Sequence, residues 1–256
     1  KPVVAAWSTP GAALIATSAA GVSMPEAIGA FVVCAALIIL AGATKAFERL
    51  MNRIPMAIAS AMLAGVLLRF GLETFSSIKS APALVIAMFA AHLLGRRFWP
   101  RYGVVGVLLV GVSISAYAGS LKWSAVSVEW ATPVWVTPAF SLSAIVGLGL
   151  PLFLVTMASQ NMPGVAVMRA AGYETPVSPV ITTTGIINIL LAPFGAFALN
   201  LAAITAAIAM GPEAHEDKDK RYTAAVMAGV FYVLIGLFGA VVGGLFRSEE
   251  RRVGKE

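Results

Sequence analysis

Charged residues, cysteine and histidine are scarce in this sequence of 256 residues. Only 12% of the residues are charged, about half the share of a soluble domain, and 59% are hydrophobic. The single cysteine, Cys34, excludes an intramolecular disulfide framework, and the two histidines have no ligand partner at metal-site spacing. No GxxxxGK followed by Ser or Thr is present, which argues against ATP-driven transport by this chain. A membrane-embedded hydrolase is a weak alternative, because the serines lack a neighbouring base.

Long apolar runs separated by short polar turns dominate the sequence instead. This pattern predicts an all-α polytopic membrane protein, and the alternation of an outer-membrane barrel is absent. Three tryptophans within 119–138 predict a segment at the lipid headgroups. We predict crossing segments at residues 27–44, 55–72, 82–94, 102–118, 140–157, 177–191 and 222–246.

The formal net charge of +6 lies mainly in the turns, so we interpret it as loop charge and not as a nucleic-acid surface. Basic turns occur at 45–53, 96–101 and 218–221. If two shorter segments also cross the membrane, these turns and Arg169 fall on one side. The positive-inside rule then places that side in the cytoplasm.

Two short, interrupted segments stand out at residues 1–23 and 196–210. In the first, an extended stretch and Ser8-Thr9-Pro10-Gly11 precede an apolar helix; Ser or Thr before Pro predicts a helix start. In the second, extended residues 196–200 precede a helix at 201–210. Each helix is roughly 15 Å long, half of a hydrocarbon core. Such pairs mark transporter binding sites, because a helix that starts inside the membrane leaves N–H groups that attract anions.

We therefore expect the two helix starts to come together around an anion. The alternative is that each segment is an ordinary span trimmed by a loop. Ser159, Gln160 and Asn161 follow an apolar run, and we expect Pro163 and Gly164 to break the helix directly after them. Polar side chains at bilayer depth usually face a bundle interior or a wet cavity. The alternative is a helix end at the headgroups.

Carboxylates are missing from the interiors of the predicted spans and fall at span ends or in turns. Gln160 and Asn161 can donate hydrogen bonds to a carboxylate but cannot titrate. Neutral amides together with two helix starts favour a small anion as the ligand over a cation.

Both ends of the sequence differ from the rest. The start, KPVVAAWSTP, has no initiator Met, so we expect the natural N-terminus to lie upstream. The tail 247–256, RSEERRVGKE, carries basic residues on the side that the span count makes external. We expect this tail to be non-native and the C-terminus to be truncated there.

Five long stretches carry a resemblance to a known family. The stretches are AWSTPGAAL (6–14), AMLAGVLLRFGL (61–72), LPLFLVTMASQNMPG (150–164), AAGYETPVSP (170–179) and AAITAAIAMGPEAHEDKDKR (202–221). Through them the sequence closely resembles the benzoate membrane transporter family of BenE-type benzoate/proton symporters throughout residues 2–246.

The family in turn distantly resembles uracil permease and the nucleobase transporters. This resemblance implies part of a fold of two inverted seven-segment repeats, with two segments that are each a strand plus a half-helix. It implies one transporter domain at 1–246, with core-type segments at 1–53 and 140–246 that move against gate-type segments at 54–119. The implied location is the bacterial inner membrane.

The resemblance also implies a function and a site. The function is secondary transport of an aromatic carboxylate, benzoate, together with protons. The implied partners are this acid, protons and the lipid bilayer, with a homodimer as one candidate assembly and with no cofactor, metal or nucleic acid. The nucleobase relatives have an acidic residue near the position of Asn161, and this sequence lacks one there, so no proton-coupling residue is assigned. The implied substrate-binding residues are Ser8, Thr9, Gly11, Ser159, Gln160, Asn161, Asn200, Ala202 and Ala203.

Two alternatives to this function stay open. One is a carrier of the same fold for a nucleobase or another small anion. The other is a channel-like pore, which saturable uptake and counterflow would exclude.

Overall fold

A computed structural model describes residues 1–19, 21–53, 74–99, 102–119 and 130–239, and isolated positions between 54 and 73. The chain divides into two compact units. Unit 1 comprises Lys1–Val66 and Pro133–Ala225, and unit 2 comprises Leu67–Thr132 and Val226–Glu256. The assignment of core-type and gate-type segments stays a prediction.

The described residues are mostly helical, with short 3₁₀ turns and a pair of three-residue strands. In chain order the elements are β1 (Ala5–Trp7), α1 (Thr9–Ser18), α2 (Met24–Ala43), α3 (Ala46–Arg53), α4 (Pro82–Phe98), α5 (Gly103–Tyr117), α6 (Leu142–Ala170), α7 (Val177–Leu191), β2 (Leu199–Leu201), α8 (Ala203–Ala209) and α9 (Tyr222–Leu237).

Four helical stretches of the described residues are long and apolar enough to cross a membrane: Met24–Ala43, Leu142–Ala170, Val177–Phe194 and Lys218–Leu237. They confirm the prediction of an all-α polytopic membrane protein. The predicted spans at 27–44, 102–118 and 177–191 correspond to α2, α5 and α7.

Other predicted spans differ from the structure. The span predicted at 82–94 is too short, because α4 continues through Arg96 and Arg97 to Phe98. Cations are favourable in the last turn of a helix, so basic residues there do not end it. Most of 55–72, residues 120–129 and the tail 247–256 lie outside the described residues. Of the predicted final span, the structure describes helix Tyr222–Leu237.

The helix expected to break at Pro163 instead continues to Ala170. α6 contains two π-helical turns, Ile145–Gly149 and Met157–Asn161, and each comes just before a proline. In each turn an N–H bonds to the carbonyl five residues earlier. Because proline lacks an N–H and its ring clashes with the preceding turn, a widened turn allows the helix to pass through it. The predicted break is therefore wrong.

α2 and α7 pack closely at the centre of unit 1. A Cβ added to Gly42 would lie 2.5 Å from Thr182 Oγ1, and one added to Gly185 would lie 2.7 Å from Ile39 Cγ1. Small residues permit such approach between membrane helices, where van der Waals contact drives association. Around this contact lie fully buried side chains of α2, α6 and α7, among them Ile28, Ile38, Leu148, Leu152 and Ile181.

Basic turns gather at one end of unit 1. The guanidinium of Arg169 donates to Met51 O at 2.8 Å and to Asn52 Oδ1 at 2.6 Å. The Tyr173 hydroxyl donates to Lys218 O at 2.9 Å. The end of α3, the end of α6 and the turn before α9 therefore lie together, as the positive-inside argument predicts for these turns. The remaining basic turn, at 96–101, belongs to unit 2.

Candidate functional site

A two-stranded ribbon joins the two interrupted segments of the sequence. β1 and β2 pair antiparallel, with Ala6 opposite Asn200 and Trp7 opposite Leu199. Each strand runs directly into a short helix, α1 after β1 and α8 after β2. The strand-plus-half-helix arrangement that the resemblance implied is thus present in both segments.

The boundary of the second segment differs from the prediction. β2 covers Leu199–Leu201, and α8 begins at Ala203, so the helix does not start at residue 201. The N–H of Ala202 donates to Val4 O at 2.9 Å, and the N–H of Leu201 donates to Asn161 Oδ1 at 3.1 Å. These bonds keep Leu201 and Ala202 in the ladder, because their N–H groups gain partners there that a helix start would not supply.

Side chains largely cap the start of α1. Ser8 is fully buried, and its Oγ accepts the N–H of Gly11 at 3.0 Å. Pro10 has no N–H, and Ala12 donates to Ser8 O at 2.8 Å. Among the described residues, the N–H of Thr9 has no partner, and its side chain is exposed. The α1 start therefore offers a ligand one backbone donor and the Thr9 hydroxyl.

Gly11 permits α1 to pack directly on α6. A Cβ there would lie 3.0 Å from Leu152 Cδ1 and 3.0 Å from Ser8 Oγ. Its role in the structure is close packing and capping, since its N–H already bonds to Ser8.

The start of α8 has no side-chain cap, because its N-cap residue is Ala202. The N–H groups of Ala203, Ile204 and Thr205 form no hydrogen bond with other described residues. The antiparallel register places the N-caps of α1 and α8 toward opposite ends of the ribbon, about 13 Å apart along the strand direction. The two helix starts thus lie on one ribbon but do not touch.

Two asparagine side chains complete the outer edge of β2. Asn188 Nδ2 donates to Leu199 O at 2.9 Å, and the N–H of Leu199 donates to Asn188 Oδ1 at 2.7 Å. Asn161 Oδ1 accepts the N–H of Leu201. Since a buried backbone group without a partner costs about 1–3 kcal/mol, these side-chain amides stabilise the outer edge of β2. The one sequence signal for Asn188 was an amide within an apolar span, and no role was predicted for it.

The polar residues of α6 lie inside a continuous helix and do not mark a helix end. Asn161 and Asn200 are fully buried, and Asn161 Nδ2 donates to Asn200 Oδ1 at 3.2 Å. Asn200 Nδ2 donates to Ala198 O, and the Ser159 hydroxyl donates to Val155 O. These amides are thus occupied by bonds within the protein.

Gln160 differs from its neighbours. Its side chain is half-buried and makes no hydrogen bond to any residue that the structure describes. Of the two predicted amides of α6, Gln160 is the one whose hydrogen-bonding groups remain available to a ligand.

An aromatic row lies beside the ribbon. The Trp7 side chain is 58% exposed, and its ring centroid lies 6.4 Å from that of Phe197 at 76°, an edge-to-face pair. Phe197 in turn lies 5.8 Å from the buried ring of Phe31. No contact among Trp7, Phe197 and Phe31 was predicted from the sequence.

One acidic side chain, Glu48, is hydrogen-bonded at the start of α7. Glu48, in α3 outside the spans, accepts the N–H of Ser178 at 3.2 Å and the Ser178 hydroxyl. The Ser178 hydroxyl bond holds the pKa of Glu48 below its ordinary value, and the charges of Lys45 and Arg169 act in the same direction. Within the described part of the chain, no group of three His, Cys, Asp or Glu could hold a metal ion.

The sequence as a whole agrees with one family. Residues 1–250 match BenE, the benzoate membrane transport protein family. The chain belongs to this family. The resemblance noted in the sequence is therefore confirmed. BenE proteins are membrane transport proteins and not enzymes.

Two relatives of this BenE chain cover nearly all of it. The inner membrane protein YdcO of Escherichia coli (strain K12) is 48% identical over 247 residues, which are 96% of this chain and 63% of that protein. The benzoate membrane transport protein of Acinetobacter baylyi (strain ATCC 33305 / BD413 / ADP1) is 40% identical over 245 residues, which are 96% of this chain and 62% of that protein. The chain thus spans a little over three fifths of the length of these curated relatives. The relation to uracil permease stays a prediction.

Proposed function

We propose that this BenE chain forms the substrate-binding part of a secondary carrier that moves benzoate with protons across the bacterial inner membrane. The observation that carries the proposal is the β1–β2 ribbon with a half-helix at the end of each strand. Extended backbone at bilayer depth survives only where protein buries it or a cavity borders it. Helix starts at that depth attract anions. The family and the benzoate transporter among the relatives support an aromatic carboxylate as the anion.

The predicted site residues divide into two roles in this proposal. Thr9 and Gln160 contact the carboxylate, because the Thr9 N–H and the Gln160 amide have no other partner in the described structure. The N–H groups of Ala203 and its neighbours at the α8 start supply further donors at the opposite end of the ribbon.

The remaining predicted residues hold the donors in place. The bond from the Gly11 N–H to Ser8 Oγ fixes the α1 start. The hydrogen-bonded side chains of Asn161 and Asn200 hold β2 in place. Ser159 bonds within α6 at the π-helical turn. Ala202 is the N-cap of α8 and joins it to Val4.

The proposed proton coupling requires a group that carries the proton across the membrane. In the four candidate spans, described acidic side chains occur only near the ends, at Glu26 and Asp219. We propose that the proton crosses on the carboxylate of the substrate or on an acid outside the described residues. In proteoliposomes, inward benzoate transport should then acidify the lumen; transport without any pH change would contradict symport.

A thermal-shift series on the purified carrier tests the substrate. Benzoate should raise the melting temperature, while uracil and sulfate at equal concentration should not. A shift with uracil alone would favour the nucleobase alternative and contradict our proposal. Saturable uptake with counterflow of labelled benzoate would exclude the channel-like pore.

A further inference from the structure

We propose that Trp7 and Phe197 form an aromatic wall that makes the carrier select carboxylates with an aromatic ring. This inference rests on the proposed function and goes beyond it, because it assigns ring recognition to two side chains. The aromatic wall is defined here as the exposed indole of Trp7 and the ring of Phe197 packed edge-on against it.

The backbone pairing argues against lipid along the outer edge of β1, the edge that faces away from β2. Because Ala202 bonds to Val4, alternation places the bonding groups of Val4 and Ala6 toward β2, and those of Ala5 and Trp7 away from it. The N–H and C=O groups of Ala5 and Trp7 form no hydrogen bond with other described residues. Hydrocarbon cannot satisfy such groups, so this edge borders water, a ligand or other protein.

The position of Trp7 relative to the carboxylate donors favours the ligand. Trp7 is two residues before Thr9, whose N–H and hydroxyl are available at the α1 start. An acid held at Thr9 places its ring one to two strand residues away, within roughly 7 Å of the indole. Aromatic rings interact favourably at centroid separations of about 4.5–7 Å.

The packing behind Trp7 fixes its orientation. Phe197 holds the indole edge-on, and the buried Phe31 supports Phe197 in turn. Aromatic pairs contribute about 0.5–1.5 kcal/mol beyond the burial of surface, which corresponds to roughly 2- to 12-fold in binding. A saturated ring of the same size still buries apolar surface but loses the additional contribution of an aromatic pair.

The experiment compares benzoate with cyclohexanecarboxylate, which has a saturated ring on the same carboxylate. The measured quantity is the ratio of their half-saturation concentrations in competition uptake by the intact carrier, for wild type, Trp7→Leu, Trp7→Phe and Phe197→Leu. Trp99→Leu is the control, because Trp99 is 68% exposed and lies 6.0 Å from the ring of Phe98 in unit 2.

We expect wild type to have a lower half-saturation concentration for benzoate than for cyclohexanecarboxylate. Trp7→Leu should lower the preference by roughly 2- to 12-fold, Phe197→Leu should lower it less, and Trp7→Phe and Trp99→Leu should retain it. An unchanged ratio in Trp7→Leu, or an equal loss for both acids, would overturn the aromatic wall. If Trp7→Leu does not insert into the membrane, the ratios measured for Trp7→Phe and Phe197→Leu decide instead. A Phe197→Leu ratio equal to that of wild type would then overturn the proposal. Absence of benzoate uptake in wild type would instead overturn the proposed function.

Discussion

Asn188 supplies to β2 the pair of hydrogen bonds that a third strand would supply. Its Oδ1 accepts from the Leu199 N–H and its Nδ2 donates to the Leu199 carbonyl, while the side chain itself is 3% exposed. A single side chain therefore satisfies both backbone groups of one residue in an apolar environment. Backbone groups left unpaired in such a place are expensive, which makes this asparagine a test of the ribbon.

Asn188→Leu should destabilise the protein strongly. The substitution leaves the part-buried N–H and C=O of Leu199 without partners, at up to about 1–3 kcal/mol for each group. We expect a clearly lower melting temperature in detergent than for wild type. Thr183→Leu, an exposed position of the same helix, is the control and should change the melting temperature little. Equal melting temperatures for Asn188→Leu and wild type would show that the bonds to Leu199 contribute nothing.

Gln160→Ala should weaken benzoate uptake without loss of membrane insertion. A hydrogen bond to a charged group contributes about 1.5–3 kcal/mol, so we expect the half-saturation concentration of the full-length carrier to rise roughly tenfold or more. The amount of protein in the membrane fraction should equal that of wild type, because Gln160 makes no bond within the described structure. An unchanged half-saturation concentration would remove Gln160 from the site.

Ser8, Asn161 and Asn200 were predicted as substrate-binding residues, and that role stays a prediction; the residues that each one bonds to were not predicted. Ser8, Asn161 and Asn200 were recognisable because polar side chains are rare in apolar runs. Their partners lie far away in the chain: Asn161 bonds to Asn200 and Leu201, a pairing that depends on the fold. The aromatic contact of Trp7 with Phe197 was hidden for the same reason.

At the scale of elements, α6 and β2 touch through a glycine. A Cβ added to Gly164 would lie 2.5 Å from Leu201 Cβ, and both residues are buried. At Gly164, α6 therefore contacts β2 directly, and β2 leads into α8. The position of α8 thus depends on the absence of a side chain at residue 164.

Gly164→Ala should displace β2 or destabilise unit 1. Overpacking of a tight site costs typically about 1–3 kcal/mol, so we expect a lower melting temperature together with weaker benzoate uptake. Gly147→Ala is a matched control in the same helix, since a Cβ there meets no atom within 4 Å. Identical behaviour of the two variants would indicate that the close approach of α6 to β2 is unimportant.

Glu48 links α3 to the first turn of α7 and should make stability depend on pH. Its pKa is lowered in the folded protein, so its contribution is complete above the ordinary value of 4.5 and is lost as the pH falls below it. A carboxylate at a helix N-terminus is also favourable in its charged form.

The check compares melting temperatures of wild type and Glu48→Gln across acidic pH. We expect the advantage of wild type to shrink as the pH is lowered through 4.5 and beyond. Glu174→Gln, at an exposed glutamate of the same unit, should follow wild type. A constant difference between wild type and Glu48→Gln at all pH values would contradict the link.

Sequence patterns were sufficient for most elements and insufficient at two kinds of place. Ser8 before Thr9 and Pro10 predicted the start of α1, because capping chemistry is local. The π-helical turns before Pro151 and Pro163 were not predicted, since proline usually argues for a helix end. The start of the second short helix was predicted two residues too early, because Leu201 and Ala202 have partners on α6 and at Val4, outside their local sequence.

At the scale of the molecule, the basic end of unit 1 gives a test of orientation. α7 begins beside Glu48 and ends near Phe194, whose ring lies 5.3 Å from that of Trp135. Residues near Lys218 and near Trp135 therefore mark opposite ends of this helix, which is roughly 22 Å long.

Variants with one added cysteine should label from opposite sides of the membrane. Lys218→Cys should react with an impermeant maleimide only after the cells are opened, and Trp135→Cys should react in intact cells. The native Cys34 is 1% exposed and should give little background. Labelling of both variants in intact cells, or the reverse order, would contradict the positive-inside assignment.

The ribosome makes β1 long before it makes β2. The paired strands are separated by roughly 190 residues, which at about 5–20 residues per second takes about 10–40 s to synthesise. Throughout that interval β1 has no strand beside it, and the insertion machinery or water must satisfy its backbone. The slowest step of biogenesis is therefore expected to be the late closure of this ribbon, which requires most of the chain to have left the ribosome.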